Sequence, residues 1–164
     1  MKTLLLMRHA KSDWKQPGMS DHDRPLNARG RRAAPVIASQ LCQSGLQVDV
    51  ILASSAVRVQ ETVELLQFKW SPQAELLTSR ALYLASPQQL MSEVQSLHDS
   101  WHSVLVVGHN PGMAALVSHL AGQSMEMPTA AVAVLQCEAT AWSNIFSSGT
   151  VVLSEYWKPR DFEE

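Results

Sequence analysis

The chain has 164 residues, 46% of them hydrophobic and 17% charged, with a formal net charge of −2. That length supports one domain with a sizeable core, and the balance is wrong for a disordered chain. The weak net charge argues against a nucleic-acid partner, and no run approaches the roughly 20 apolar residues that span a bilayer.

Residues 3–8 form an apolar run that reads as a buried strand, and it ends on Arg8 and His9. Its apolar stretch is shorter than the roughly 7–15 residues of a signal peptide's core. Residues 15–29, "KQPGMSDHDRPLNAR", carry two prolines and a glycine and read as a loop. Asn27 is placed to cap a helix over 28–44, closed by Gly45. The arginines at its start, Arg29, Arg31 and Arg32, read as a solvated helix face. "VDVILAS" (48–54) is a second strand, after which Ser54 or Ser55 is placed to cap a helix over 56–67. "AELLT" is a short extended piece. A helix over 87–98 follows, with Ser86 as cap and Pro87 in its first turn.

"SVLVVGH" (103–109) is the clearest strand, apolar throughout as in strands covered on both faces. A helix over 112–121 comes next. Residues 130–139 and 150–157 read as two last strands, joined by a Ser/Gly-rich turn and not by a helix. The tail "KPRDFEE" reads as a frayed end. Alternating strands and helices predict an α/β sandwich, parallel at its centre, with at least one antiparallel edge. Neither an internal repeat nor a second domain boundary is visible, so residues 1–164 are read as one domain. Cys42 and Cys137 lie among apolar neighbours, outside any metal-ligand spacing. They read as buried free thiols in a reducing, cytoplasmic protein.

Ligands of open α/β sheets bind outside the carboxyl ends of the strands. Three segments place unusual polar residues there: "RHAKSDW" with Arg8 and His9, "SSAVRVQET" with Arg58, and "VVGHNPG" with His109. Guanidiniums offer planar donor forks that match phosphate. A neutral imidazole is a competent nucleophile. Phosphoryl transfer depends mainly on positioning and on charge at the equatorial oxygens. Two arginines and two histidines at one spot therefore suit metal-free phosphoryl transfer through a phosphohistidine. Such a nucleophile needs its attacking nitrogen unprotonated, with the other held by a backbone carbonyl.

"RHAKSDW" resembles the RHG-type signature of the histidine phosphatase superfamily, "SSAVRVQET" its second arginine motif, "GHNPG" its second histidine motif and "DRPLNARG" the start of its first helix. The resemblance spans essentially the whole chain. It implies a three-layer α/β/α sandwich around a mostly parallel sheet, as in phosphoglycerate mutase. It further implies His9 as the phosphoryl acceptor, with Arg8, Arg58 and His109 forming the phosphate pocket. Ser12 aligns with a polar residue on the phosphate side. No metal or organic cofactor is implied.

The glycine usual after the Arg-His pair is Ala10, as in the SixA-type branch. Larger relatives carry a glutamate after the second helix to protonate the leaving oxygen. Here "LLTSRALYLASPQQL" (76–90) contains no acid, and the helical insertion that lids sugar-phosphate enzymes is missing. A poor alkoxide leaving group needs a general acid, whereas phosphohistidine does not. The chain thus resembles the small SixA-type phosphohistidine phosphatases. The implied partner is a phosphohistidine-bearing protein, either a phosphotransfer domain or a phosphocarrier, and the enzyme is taken as a monomer. Two alternatives are a broad phosphomonoesterase acting on small phosphorylated molecules and an inactive phosphoprotein-binding module. Asp13, Asp21 and Asp23 are the alternative acids, read otherwise as solvated loop carboxylates or turn formers. His22, His98, His102 and His119 read as structural or surface residues. The tryptophans read as core or edge packing, with Trp14 a candidate for the pocket mouth.

Overall fold

The apolar runs line up as one six-stranded sheet in the computed structural model, which describes residues 1–14, 16–147 and 150–162. The strands are β1 (Lys2–Arg8), β2 (Val50–Ser54), β3 (Glu75–Ser79), β4 (Ser103–Gly108), β5 (Val132–Cys137) and β6 (Val151–Trp157). Their spatial order is β3-β2-β4-β1-β5-β6. β3, β2, β4 and β1 run parallel, while β5 lies antiparallel to both β1 and β6. The parallel pairs are joined through helices, and β5 turns back to β6 without one, as the run of elements predicts.

Side chains alternate across the pleat and divide the core in two. Leu5, Met7, Leu105, Val107, Val132 and Val134 pack with α1 (Ala28–Ser44) and α2 (Val57–Gln67) through Ile37, Leu41, Val59, Val63 and Leu66. Leu4, Leu6, Val104, Val106, Ala133 and Leu135 face α3 (Pro87–Gln95) and α4 (Gly112–Ala121) through Leu90, Val94, Leu116 and Val117. Each buried aliphatic side chain contributes about 1.5–3 kcal/mol. The result is the three-layer α/β/α sandwich that the resemblance implies.

Local chemistry sets the helix ends. Asn27 accepts from the Gly30 N–H at 2.9 Å, and Gly45 closes α1 in the left-handed region at φ 76°. Ser86 and Gln89 form a reciprocal capping box on α3. Two glycines are demanded by close approach: a Cβ would lie 2.2 Å from the Lys11 carbonyl oxygen at Gly30, and 1.9 Å from that of Ala85 at Gly112.

Several expectations are corrected. Neither Ser54 nor Ser55 caps α2, whose N-cap is Ala56. The Ser54 hydroxyl instead accepts the Ala56 N–H at 3.3 Å, and Ser55 turns to His22. α3 stops at Gln95 and not at residue 98, and β5 spans Val132–Cys137 and not 130–139. Cys42 is exposed, because it falls beside the Ile37–Ala38–Leu41 stripe of α1. Cys137 is buried, and burial pushes its thiol up to about 11. The tail is not simply frayed: Pro159–Asp161 forms a short 3₁₀ turn with Pro159 buried. Lys15, Ser148, Gly149, Glu163 and Glu164, which belong to the expected loop, turn and tail, lie outside the described residues.

Candidate functional site

β1 and β4 are neighbours at the middle of the sheet, and the chain leaves them toward opposite faces. That arrangement opens a crevice at their carboxyl ends. Arg8 pairs with Gly108 in register, and the His9 N–H donates to the Gly108 carbonyl at 3.1 Å. His9 and His109, one residue beyond each strand, therefore come side by side, ring centroids 5.2 Å apart. Arg58, in the first turn of α2, reaches both. Its Nε donates to His9 Nε2 at 3.3 Å, and its Nη2 lies 3.4 Å from His109 Nδ1. Arg8, His9, Ser12, Arg58 and His109 all line one cavity of about 220 Å³. The structure thus brings together the five residues assigned to the phosphate pocket from the sequence.

Hydrogen bonding fixes both tautomers. His9 Nδ1 lies 2.7 Å from the Ala10 carbonyl, which only accepts, so Nδ1 carries the proton. Nε2 faces an arginine, which only donates, so its lone pair points into the cavity. Burial, with His109, Arg58 and Arg8 nearby, lowers His9 to about 3. Burial and the same arginines lower His109 to about 4. By the same logic His109 Nδ1 accepts from Arg58, and Nε2 carries its proton toward the Ser54 hydroxyl at 2.8 Å. Arg8 donates from Nη1 to the Met127 carbonyl at 3.3 Å, while its buried Nε has no partner among the described residues. A buried donor left open calls for an acceptor that enters the cavity.

The loop carboxylates are not equivalent. Asp21 is the only carboxylate among the described residues that line the cavity. Its Oδ2 accepts from Arg58 Nη2 at 3.0 Å and from the Tyr83 hydroxyl, and its Oδ1 accepts from Arg24 Nε at 3.0 Å. Burial alone would raise it, but Tyr83, Arg58 and Arg24 outweigh that and hold it down to about 2. Asp21 is therefore an anion that holds Arg58, while its carbonyl closes the turn expected from the sequence by accepting the Arg24 N–H at 3.2 Å. Asp13 and Asp23 are not in the cavity wall. Ser12 is buried and accepts from Arg24 Nη1 at 2.8 Å. Trp14, 72% exposed, lines the mouth with the Arg24 guanidinium 3.3 Å above its ring.

Sequence reasoning missed four supporting residues. Ser54 partners His109. Thr62, part of a motif but given no role, accepts the Ala10 N–H at 3.1 Å and donates to the Arg58 carbonyl at 2.7 Å. Tyr83 sits edge-on to His109 at 5.3 Å. Asn110 ties the start of α4 to the Met127 carbonyl. His22, read as a polar loop residue, packs edge-on against Tyr83 with Nε2 2.8 Å from the Ser55 hydroxyl. Among the described residues, no group of three or more His, Cys, Asp or Glu side chains is placed to hold a metal. Among the described residues, no helix is long and apolar enough to cross a membrane.

The depressed histidines make the fold acid-sensitive. Folded His9 and His109 protonate near 3 and 4, against 6.5 for an unperturbed histidine. Between those limits the unfolded chain binds more protons, so stability is full above 6.5 and falls as pH drops toward 3. Asp21 adds a loss of the same sign from 3.8 down to about 2. Thermal melts at pH 7, 5.5 and 4 should show a falling midpoint. A midpoint unchanged across that range would contradict the neutral, buried histidines.

Comparison with known proteins agrees with this architecture. The sequence model of the histidine phosphatase superfamily (branch 1) matches residues 4–82. An uncharacterized protein of Mycobacterium tuberculosis (strain H37Rv) is 33% identical over 165 residues, covering 94% of this chain and 100% of that protein. A structure from Nakamurella multipartitia, assigned as a SixA phosphohistidine phosphatase, superposes with a TM-score of 0.84 at 27% identity, covering 96% of each chain. Another from Agrobacterium tumefaciens, assigned likewise, gives a TM-score of 0.83 at 27% identity over 96% of this chain and 98% of that one. The chain belongs to the histidine phosphatase superfamily, in its SixA-type branch.

Proposed function

We propose that this phosphatase hydrolyses phosphohistidine on proteins through a covalent phosphohistidine at His9. The observation that carries the reading is the pairing of an unprotonated His9 Nε2 with a cavity whose lining carboxylate, Asp21, is held ionised by Arg58. The cavity offers a nucleophile and guanidiniums for the phosphoryl oxygens, and among the described residues no carboxylic acid to protonate an alkoxide. The SixA-type relatives support the same substrate class.

In the first step His9 Nε2 attacks phosphorus, and the P–N bond to the substrate imidazole breaks. That imidazole takes a proton from water on its far nitrogen, so it leaves without help from the enzyme. Arg58 Nε, which rests on the Nε2 lone pair in the free enzyme, moves to a phosphoryl oxygen. The open Nε–H of Arg8 meets another. Water then attacks phospho-His9, giving inorganic phosphate and restoring the neutral ring. Positioning and charge stabilisation supply the catalysis.

The test compares a phosphohistidine-bearing protein with a simple alkyl phosphate ester. The ester should turn over more slowly by about 10²–10⁴, the usual worth of a general acid. Comparable rates on the two would overturn the acid-free reading and make Tyr83 and His22, beside His109, the first proton donors to replace.

A further inference from the structure

A second cavity, of about 130 Å³, adjoins the first. Lys11 and Thr129 line both, so this basic groove lies beside the catalytic cavity. Its wall carries Lys11, Arg29, Lys158 and Arg160, with Ala33, Pro128 and Pro159 between them. These four cations come from three distant parts of a chain whose net charge is −2. Gathering like charges in one groove opposes folding through self-repulsion, and it concentrates a field that draws anions.

The groove is held in shape. The Lys11 carbonyl accepts the Asn27 N–H at 3.0 Å and sits against Gly30, where no Cβ could fit. Pro159 is buried, and Asp161 turns its carboxylate back onto the Lys158 N–H at 2.8 Å. The catalytic cavity also carries two exposed apolar residues: Trp14 is 72% exposed, and Leu84, 54% exposed, is presented by left-handed backbone at φ 50°. A basic groove beside a cavity with an exposed aromatic and aliphatic pair is the make-up of a protein-docking surface.

Resting on the reading that the substrate is a phosphorylated protein, we propose that this groove binds an acidic segment of that protein, next to its phosphohistidine. Carboxylates of the partner pair with Arg29, Lys158 and Arg160 while the phosphoryl group reaches His9. The groove then selects among phosphohistidine proteins by the charge that flanks the modified residue.

The experiment uses phosphoramidate and two phosphohistidine peptides, one flanked by glutamates and one by serines. Wild type is compared with Arg29→Glu and Arg160→Glu, two exposed positions; an acid at 29 also suits the first turn of a helix. Wild type should prefer the acidic peptide by about tenfold, with a rate that falls as salt is raised. Each variant should lose that preference while phosphoramidate turnover stays unchanged. Equal rates on both peptides in wild type, or equal losses on both in the variants, would overturn the groove and leave the activity standing. A fluorescent acidic peptide without phosphohistidine separates the two readings. If wild type hydrolyses neither peptide, yet binds this probe and Arg160→Glu does not, the activity fails and the groove holds.

Discussion

His9→Ala is expected to lower phosphate release from phosphohistidine by about 10⁵-fold or more, the scale on which enzymes lose their nucleophile. Nothing nearby replaces the ring. His109 is 5.2 Å away and bonded through Nε2 to Ser54, and Asp21 is committed to Arg58. Wild type quenched during turnover should carry phosphate that is acid-labile and base-stable, and the variant none. His9 is buried, so a melting curve of the variant is needed beside the assay to show that the fold survives. Turnover within tenfold of wild type by a folded variant would mean direct attack by water, and the covalent route would fall.

Arg58→Ala should cost about 10³–10⁵-fold, the range seen when a guanidinium that stabilises a transferring phosphoryl group is removed. Arg58 touches His9, His109 and Asp21 at once, so it orders the site as well as charging it. Arg58→Lys should recover little. A lysine keeps the charge, but a point ammonium cannot span the fork between two rings and a carboxylate. Asp21 keeps Arg24 and Tyr83 as partners in both variants, so the loop should stay in place. Steady-state rates on phosphoramidate with inhibition by free phosphate would measure both effects. A loss below tenfold, or full rescue by lysine, would show that Arg58 is only a structural bridge.

Arg8, His9 and His109 were legible because a strand end is a local feature: an apolar run stops, and whatever polar group follows is delivered to the carboxyl end of the sheet, where Arg58 also lies in the first turn of the helix after β2. Asn27, Gly45 and Ser86 were legible for a similar reason, since caps act within three or four residues. Ser54 shows the limit of that reasoning. A serine just before a helix looks like a cap, yet its hydroxyl serves His109, a partner 55 positions away. Cys42 looked buried from its neighbours, but burial in a helix depends on the face and not on the adjoining letters.

The strand and helix order, the mostly parallel sheet and the four pocket residues follow from patterns with a period of a few residues and from motifs along the chain. Local dihedral preference and apolar periodicity carry that information. Three features come only from packing. One is the role of Asp21, which becomes an arginine partner because the loop folds 37 positions back onto α2. Another is the tautomer of His9, settled by a carbonyl on one nitrogen and a guanidinium on the other. The last is the basic groove, whose cations are spread from Lys11 to Arg160. Each depends on at least one group that only the fold brings near, and hydrogen bonds and charge pairs have no period along a chain to betray them.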